Sequence, residues 1–599
     1  MTRRRTVLVI LLFIAAAIAV ALQAPITLSG SNSQPILQLA RSAPPAGDSL
    51  AERMAVSARA ISLGDTATLR TLLTEDDAAA YEAAVAIAAQ PDVDPLVRYE
   101  ALKRVAALRI DEPLARDELR DLALATGEAA LASGLPLAAR EAYLTALPDP
   151  QARDALRTLI SDPFELANAF LDARLYQDAL EVLDQASVTA ASIEAPALRA
   201  LARYEEARTA YRTWLEEIPM SRTAQLGLAW THWYLGDLDA AEEGFTALGG
   251  SEANYGLGLI ANRRGDIDTA VRFLTNAGSA TRIWLATSIL ENAGRIEDAI
   301  RVYLDLALGD SAYADDAAWR ARVLAERIGN ADLFARADTA LQDDSFFSLL
   351  LGKELNLPTR NDLSRVELPA LQTAAWLRSI GDDAGARLVL AFALREASDE
   401  ASIVTIGEAL VDLGEYRIPQ RAGAMLLANG SEQLRTWRLA YPRAWPEQVL
   451  GEATAAGVDT SLVWAIMRRE SAFFPDAISR SGAQGLMQVM PATWDWLAEL
   501  QTESPADPFT IDANIRYGVH YLGWLTRYFE GDEELVVASY NRGQGYIGRL
   551  WESEDIAFDR NELYRFIDAL ETREYLQNVI VTKRIYERLD GLETQLARP

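Results

Sequence analysis

A glycine followed five residues later by an alanine recurs at a fixed step: Gly236 with Ala241, Gly265 with Ala270, and Gly294 with Ala299, 29 residues apart each time. That register constrains the fold more than any other feature of the 599-residue chain. A step near 30 residues is the length of one helical hairpin. Glycine supplies the left-handed turn between helices, and alanine lets the second helix lie close to the first. Upstream the register reaches Ala207 and Ala179, and downstream it returns as Gly381 with Ala386. Elsewhere apolar residues recur every three or four positions, as in LANAFLDARLYQDALEVLDQA, and strict alternation is scarce. The expected fold is all-α. Hairpins stack into an α-solenoid or superhelix over residues 49–345, a helical linker domain follows over 346–440, and a region of different composition occupies 441–599.

The segments WYLGDLDAAEEGF, NRRGDIDTAVRFL and ENAGRIEDAIRVY resemble tetratricopeptide repeats, mostly shorter than that family's 34-residue unit. Two readings of the array stand side by side: hairpins that stack only to bury their apolar faces, and a concave surface that also docks a partner.

Composition narrows the chemistry. The chain has no cysteine and two histidines, His232 and His520, which removes disulfides, thiol nucleophiles, Cys/His zinc sites and most histidine triads. A net charge of -29 argues against nucleic acid as a partner. There is no P-loop, no dinucleotide fingerprint and no Asp-rich calcium loop, so no cofactor and no metal is expected. Any hydrolytic chemistry would fall to carboxylates or hydroxyls.

Arg3, Arg4 and Arg5 precede an apolar run from Val7 to Leu22, the pattern of an export signal over residues 1–24. Sixteen residues make about 24 Å of helix, short for a membrane span of about 30 Å. Ala19 and Ala21 offer a small-x-small cleavage site, so the product is either a freed protein or one held by an uncleaved N-terminal anchor in the membrane. Residues 25–48, with Pro25, Pro35, Pro44 and Pro45 among serines and glycines, read as a linker. The expected location is extracytoplasmic, in the periplasm or cell envelope, and a partner of the repeats would be a cell-envelope protein.

The last 160 residues are where chemistry is expected. Asp459, Thr460 and Ser461 offer an N-cap and Pro475 limits the far end of a helix running to about Ser471. Its buried stripe is Val463, Ile466 and Met467, and Glu470 continues that face while Arg468 and Arg469 point elsewhere. A carboxyl there either has a pKa raised by desolvation, as a general acid requires, or sits at the edge of the stripe and reaches solvent. The helix pattern alone leaves both open.

Further along, SGAQGLMQVMPATW supplies Gly482, Gly485, Gln488, Met490 and Pro491; NIRYGVHYL opens an amphipathic helix; Tyr540 and Asn541 precede Gly543; and ETREY stands near the end. In this order these motifs resemble the lysozyme-like catalytic domain of the soluble lytic transglycosylases of bacterial cell walls. A helical superhelix ahead of that domain is similar to the family's larger members. The pattern departs at Arg542, Gly543 and Gln544, where the family usually has a small residue and Gly-Pro.

The resemblance implies a lyase acting on peptidoglycan glycan strands. It would cleave the bond from N-acetylmuramic acid to N-acetylglucosamine and form a 1,6-anhydro-muramoyl end. By the same resemblance Glu470 is the acid and then the base; Ser479, Gly485, Gln488, Met490, Tyr540 and Asn541 hold substrate; and Ser471, Glu571, Arg573 and Tyr575 support the cleft. Two other functions remain open: a hydrolytic muramidase on the same fold, which needs a second carboxylate, and a non-catalytic helical-repeat scaffold that only binds glycan.

Overall fold

The computed structural model describes residues 49–90, 92–108, 116–343, 345–355, 357, 360–479, 481–552, 567 and 570–596. The apolar run at Val7–Leu22 and the linker that follows lie outside them. The described residues form 32 helices and no strand; isolated bridges such as Ile478 with Gln484 are the sole extended pairing among them. No helix among the described residues is long and apolar enough to cross a membrane.

The chain divides into two compact units, 143–354 and a second made of 1–142 with 355–599. In the first unit each helix packs on the next as antiparallel hairpins, among them Arg222–Leu235 with Leu238–Leu248 and Ser251–Arg263 with Ile267–Asn276. The register has the expected structural basis. Gly236, Gly265 and Gly294 turn the chain at φ 80, 78 and 72°. A side chain at any of the three would meet nothing within 4 Å, so the backbone conformation is the requirement and not space. Ala179, Ala207, Ala241, Ala270 and Ala299 are all fully buried at 0% exposure.

Where the glycine is missing, the turn is made regardless. Five residues before Ala179 and Ala207 stand Arg174 and Ala202, and both adopt the left-handed conformation, φ 60 and 57°. A side chain in that conformation costs about 1 kcal/mol, which the buried alanine contact offsets.

In the second unit the early helices Ser49–Leu63 and Ala78–Ala89 pack on Pro369–Ser379 and Asp383–Glu396. They share one core in which Met54, Ala78 and Leu108 meet Leu377, Val389 and Leu390. Arg395 Nη1 donates to the Leu108 carbonyl at 3.4 Å across 287 positions of sequence. Gly381 and Ala386 repeat the hairpin register here, at φ 84° and 0% exposure.

The C-terminal part of this unit is a bundle. The helices Pro446–Ala456, Thr460–Ser471, Pro491–Leu500, Ile511–Tyr528, Glu533–Arg542 and Gln544–Trp551 are followed by the long Leu570–Leu596. The segment leading in is pinned from both ends of that order: Trp464 Nε1 donates to the Ala444 carbonyl at 2.9 Å and the Tyr586 hydroxyl to the Pro442 carbonyl at 3.1 Å.

Candidate active site

Three helices converge on one carboxyl. Asp459 caps the helix Thr460–Ser471, its side chain accepting the Ser461 N–H at 2.7 Å. Residues 461–467 are buried, and Glu470 is half-buried in the last turn of this helix. The helix stops abruptly behind it, because Ala472 and Phe473 are both left-handed, φ 49 and 65°, and the buried Phe473 ring turns the chain back into the core.

Tyr575, from the helix Leu570–Leu596, donates its hydroxyl to Glu470 Oε1 at 2.6 Å. Burial pushes the Glu470 carboxyl up to about 7; the Tyr575 hydrogen bond and the Arg469 charge pull it down, and Glu571 pushes it up again. Desolvation wins, so the group holds a proton near neutrality. Of the two readings the helix pattern left open, this is the raised-pKa one. Arg469 differs from expectation: its guanidinium lies 6.0 Å from the centre of the Tyr575 ring and its charge acts on the acid. Arg468 does point away, stacking on Tyr441 at 4.5 Å.

The helix Glu533–Arg542 brings Tyr540, whose hydroxyl donates to the Met487 carbonyl at 2.8 Å and whose own proton is held tightly by burial and by the neighbouring Glu470. Asn541 Oδ1 accepts from Thr572 Oγ1 at 2.8 Å, which ties this helix to the one bearing Tyr575. All three helices meet again at Lys583. Its ammonium, buried to 5% exposure, lies 2.7 Å from Glu533, 2.8 Å from Glu587 and 3.6 Å from Asp459. Burial works against its charge, but the hydrogen bonds to Glu533 and Glu587 prevail and its pKa is raised.

The loop 477–490 is built on the helix Ile511–Tyr528. Buried Asn514 accepts the Met487 N–H at 2.7 Å and donates to the carbonyls of Gln484 at 3.1 Å and Pro508 at 2.6 Å. A Cβ on Gly485 would fall 2.0 Å from that amide nitrogen, and one on Gly518 would fall 2.4 Å from Met487 Sδ. Asn514 and Gly518, four apart on one helix face, thus grip the loop together. Both belong to the motif NIRYGVHYL, but the sequence assigned neither of them a role.

The remaining expected residues lie on these helices or on the loop before Pro491. Ser471 Oγ donates to its own helix at the Met467 carbonyl, 3.2 Å. Ser479 Oγ accepts the Ala483 N–H at 3.0 Å. Gln488 Nε2 donates to the Ala477 and Gly485 carbonyls at 3.0 and 2.7 Å. Met490 is 42% exposed beside the helix start at Pro491. Glu571 is exposed, and Arg573 is buried on the same helix as Tyr575. Asp476, Asp495 and Asp512 are exposed, and Asp507 accepts the Phe509 N–H at 3.0 Å.

Fold and site together define an all-α chain with a lysozyme-like C-terminal helical domain, organised around one carboxyl whose pKa burial raises to about 7. Residues 448–563 match the family model described as Transglycosylase SLT domain. A curated Haemophilus influenzae protein described as a soluble lytic murein transglycosylase is 30% identical over 174 residues, 28% of this chain and 29% of that one. The Escherichia coli K12 soluble lytic murein transglycosylase is 28% identical over 158 residues, 25% and 24% of the two chains. The chain therefore matches less than a third of the length of these relatives. The fold likeness is wider. The 70 kDa soluble lytic transglycosylase of Escherichia coli aligns over 90% of this chain and 91% of its own at TM-score 0.51 and 17% identity. The lytic transglycosylase Slt of Pseudomonas aeruginosa aligns over 89% and 96% at TM-score 0.50 and 19% identity.

Proposed function

We propose that this chain is a peptidoglycan lytic transglycosylase whose acid is Glu470. The observation that carries the reading is the Glu470 carboxyl itself, bonded to Tyr575 at 2.6 Å and pushed by burial to a pKa of about 7. Glu470 gives that proton to the glycosidic oxygen as the bond to C1 of the muramoyl sugar breaks. The sugar's own 6-hydroxyl then bonds to C1 and returns its proton to the same carboxylate. The balance closes with one carboxyl and without water, leaving an anhydro end.

Tyr540, Asn541, Gln488, Ser479, Met490 and Gly485 are proposed to hold the sugar and its acetamido group. Ser471, Glu571, Arg573 and Tyr575 support the acid. Because murein lies outside the cytoplasm, the apolar run Val7–Leu22 is read as the segment that exports the chain or anchors it in the membrane. The structure of the 70 kDa relative in complex with bulgecin A supplies a probe: this chain is expected to bind the same compound.

The hydrolytic alternative has one observation in its favour, the charge of Glu571 acting on Glu470. Mass spectrometry of muropeptides released from purified peptidoglycan by the full chain, with Glu470→Gln alongside, separates the readings. Anhydro ends, absent with the variant, are the expected result. Reducing ends would make the protein a muramidase, and bound glycan with no release would make it a scaffold.

A further inference from the structure

The helix Ile511–Tyr528 carries aromatic rings at 517, 521, 524 and 528, steps of four, three and four that put them on one face. Tyr517 belongs to the interior, its ring 4.3 Å from that of Trp494. From Tyr521 outward the stripe changes character. Tyr521 and Trp524 stack at 6.4 Å with 15° between planes, and Trp524 and Tyr528 at 5.1 Å with 20°. Trp496, from the helix Pro491–Leu500, stands edge-on to Tyr521 at 6.3 Å and to Trp524 at 5.3 Å.

These outer rings are not sealed in a core. Trp496 and Trp524 are partly exposed and Tyr528 is 39% exposed. Trp464 and Trp494 in the same bundle donate their indole N–H groups to the Ala444 and Ala506 carbonyls, each at 2.9 Å. Those of Trp496 and Trp524 donate to no group among the described residues. A stacked aromatic face at a surface, with indole N–H groups open at its edge, offers what a sugar ring takes: an apolar plane to stack on and a donor for a hydroxyl.

The stripe runs up to the Glu470 site. The Tyr521 ring lies 5.4 Å from that of Tyr540, whose proton affinity is raised by burial and by the neighbouring Glu470, and the Tyr521 hydroxyl donates to Gln544 Oε1 at 3.0 Å. Tyr521 to Tyr528 spans about 10.5 Å of helix, the scale of a disaccharide.

We propose that Trp496, Trp524 and Tyr528 form a sugar-stacking platform that carries the glycan strand away from the Glu470 cleft. The inference rests on the transglycosylase reading and deepens it: the platform makes the protein read strand length, because a short glycan fills the cleft without reaching it.

The test is binding of soluble, peptide-free murein glycan to the full-length Glu470→Gln chain, with a tetrasaccharide and with strands several times longer, read by calorimetry. Tyr528→Ser is the main variant, at the exposed end of its helix; Trp496→Ala is the second, should either perturb folding by circular dichroism. The expected result is a loss of roughly tenfold in the preference for long over short strands, as truncation of a stacking anchor gives. An unchanged preference, or equal losses for both lengths, would overturn the platform. So would a dimer that either substitution turns into a monomer, since the stripe would then pair two copies. Failure of the parent chain to bind glycan of any length would sink the transglycosylase reading itself, and the two failures are thereby distinct.

Discussion

The Tyr575 hydroxyl is the single hydrogen-bond donor to Glu470 among the described residues, at 2.6 Å. It favours the carboxylate and so opposes the burial that keeps the acid protonated. Tyr575→Phe removes that opposition. The alkaline limb of the activity profile should move to higher pH while the maximal rate falls, and a full pH profile of muropeptide release on both proteins checks it. A limb that stays put would mean the hydroxyl does not act on the acid.

The unsubstituted chain should lose activity as pH rises through about 7, because the acid must enter the reaction protonated and its pKa is raised to about 7. Retention of full kcat two units above that value would place the proton on another group. Initial rates on soluble glycan across the range, at constant ionic strength, decide the matter.

Arg174 and Ala202 occupy left-handed turns that glycine fills elsewhere in the register. Arg174→Gly and Ala202→Gly should each stabilise the array by up to about 1 kcal/mol, less what glycine's looser unfolded chain takes back. Gly236→Ala should cost a similar amount. Thermal melts of the three variants give the comparison, with opposite signs expected.

Lys583 joins the cap of the acid helix to the first turn of the helix bearing Tyr540 and to the helix bearing Tyr575. Replacing it by Met leaves Asp459, Glu533 and Glu587 facing one another, and breaking a buried ion pair on one side costs roughly 3 to 5 kcal/mol. Arg584 still reaches Glu587 at 2.7 Å and softens the loss. Hydrogen exchange should quicken in all three helices at once, and acceleration confined to the last helix would deny the lysine this joining role.

Glu82 is buried where the early helices meet Asp383–Glu396, and its carboxyl is pushed up to about 7 by burial and by the charge of Asp382. Its folded pKa stands above the unfolded value of 4.5, so its contribution is fully present below about pH 4.5 and is lost as pH rises through 7. Glu82→Gln should therefore flatten that decline and stabilise the chain above neutrality by up to roughly 3 kcal/mol. Denaturation at pH 5 and pH 8 measures the difference.

What sequence reveals here follows the range of the interaction. The hairpin register was readable because a left-handed turn and a small contact residue are local requirements, each written in one letter. Arg174 and Ala202 were not readable as turns, since neither letter announces the conformation that the flanking helices impose. Glu470 stood out because helical geometry puts its position on an apolar face. That face offered a pKa raised by desolvation as one of two readings; the opposing hydroxyl of Tyr575, 105 positions away, could not be read from it. The grip of Asn514 on the loop at Met487, across 27 positions, and the junction at Lys583 are likewise products of tertiary contact.

The acid helix ends one residue past Glu470, at Ser471. Its peptide dipoles point their negative end at that carboxyl, and about half an elementary charge gathers there. Ser471 Oγ, the Ala472 N–H and the Phe474 N–H engage the carbonyls of Met467, Arg468 and Ser471 at that end. In the proposed reaction, a proton released at this place leaves a charge that its own helix repels, and the same repulsion favours the proton's return.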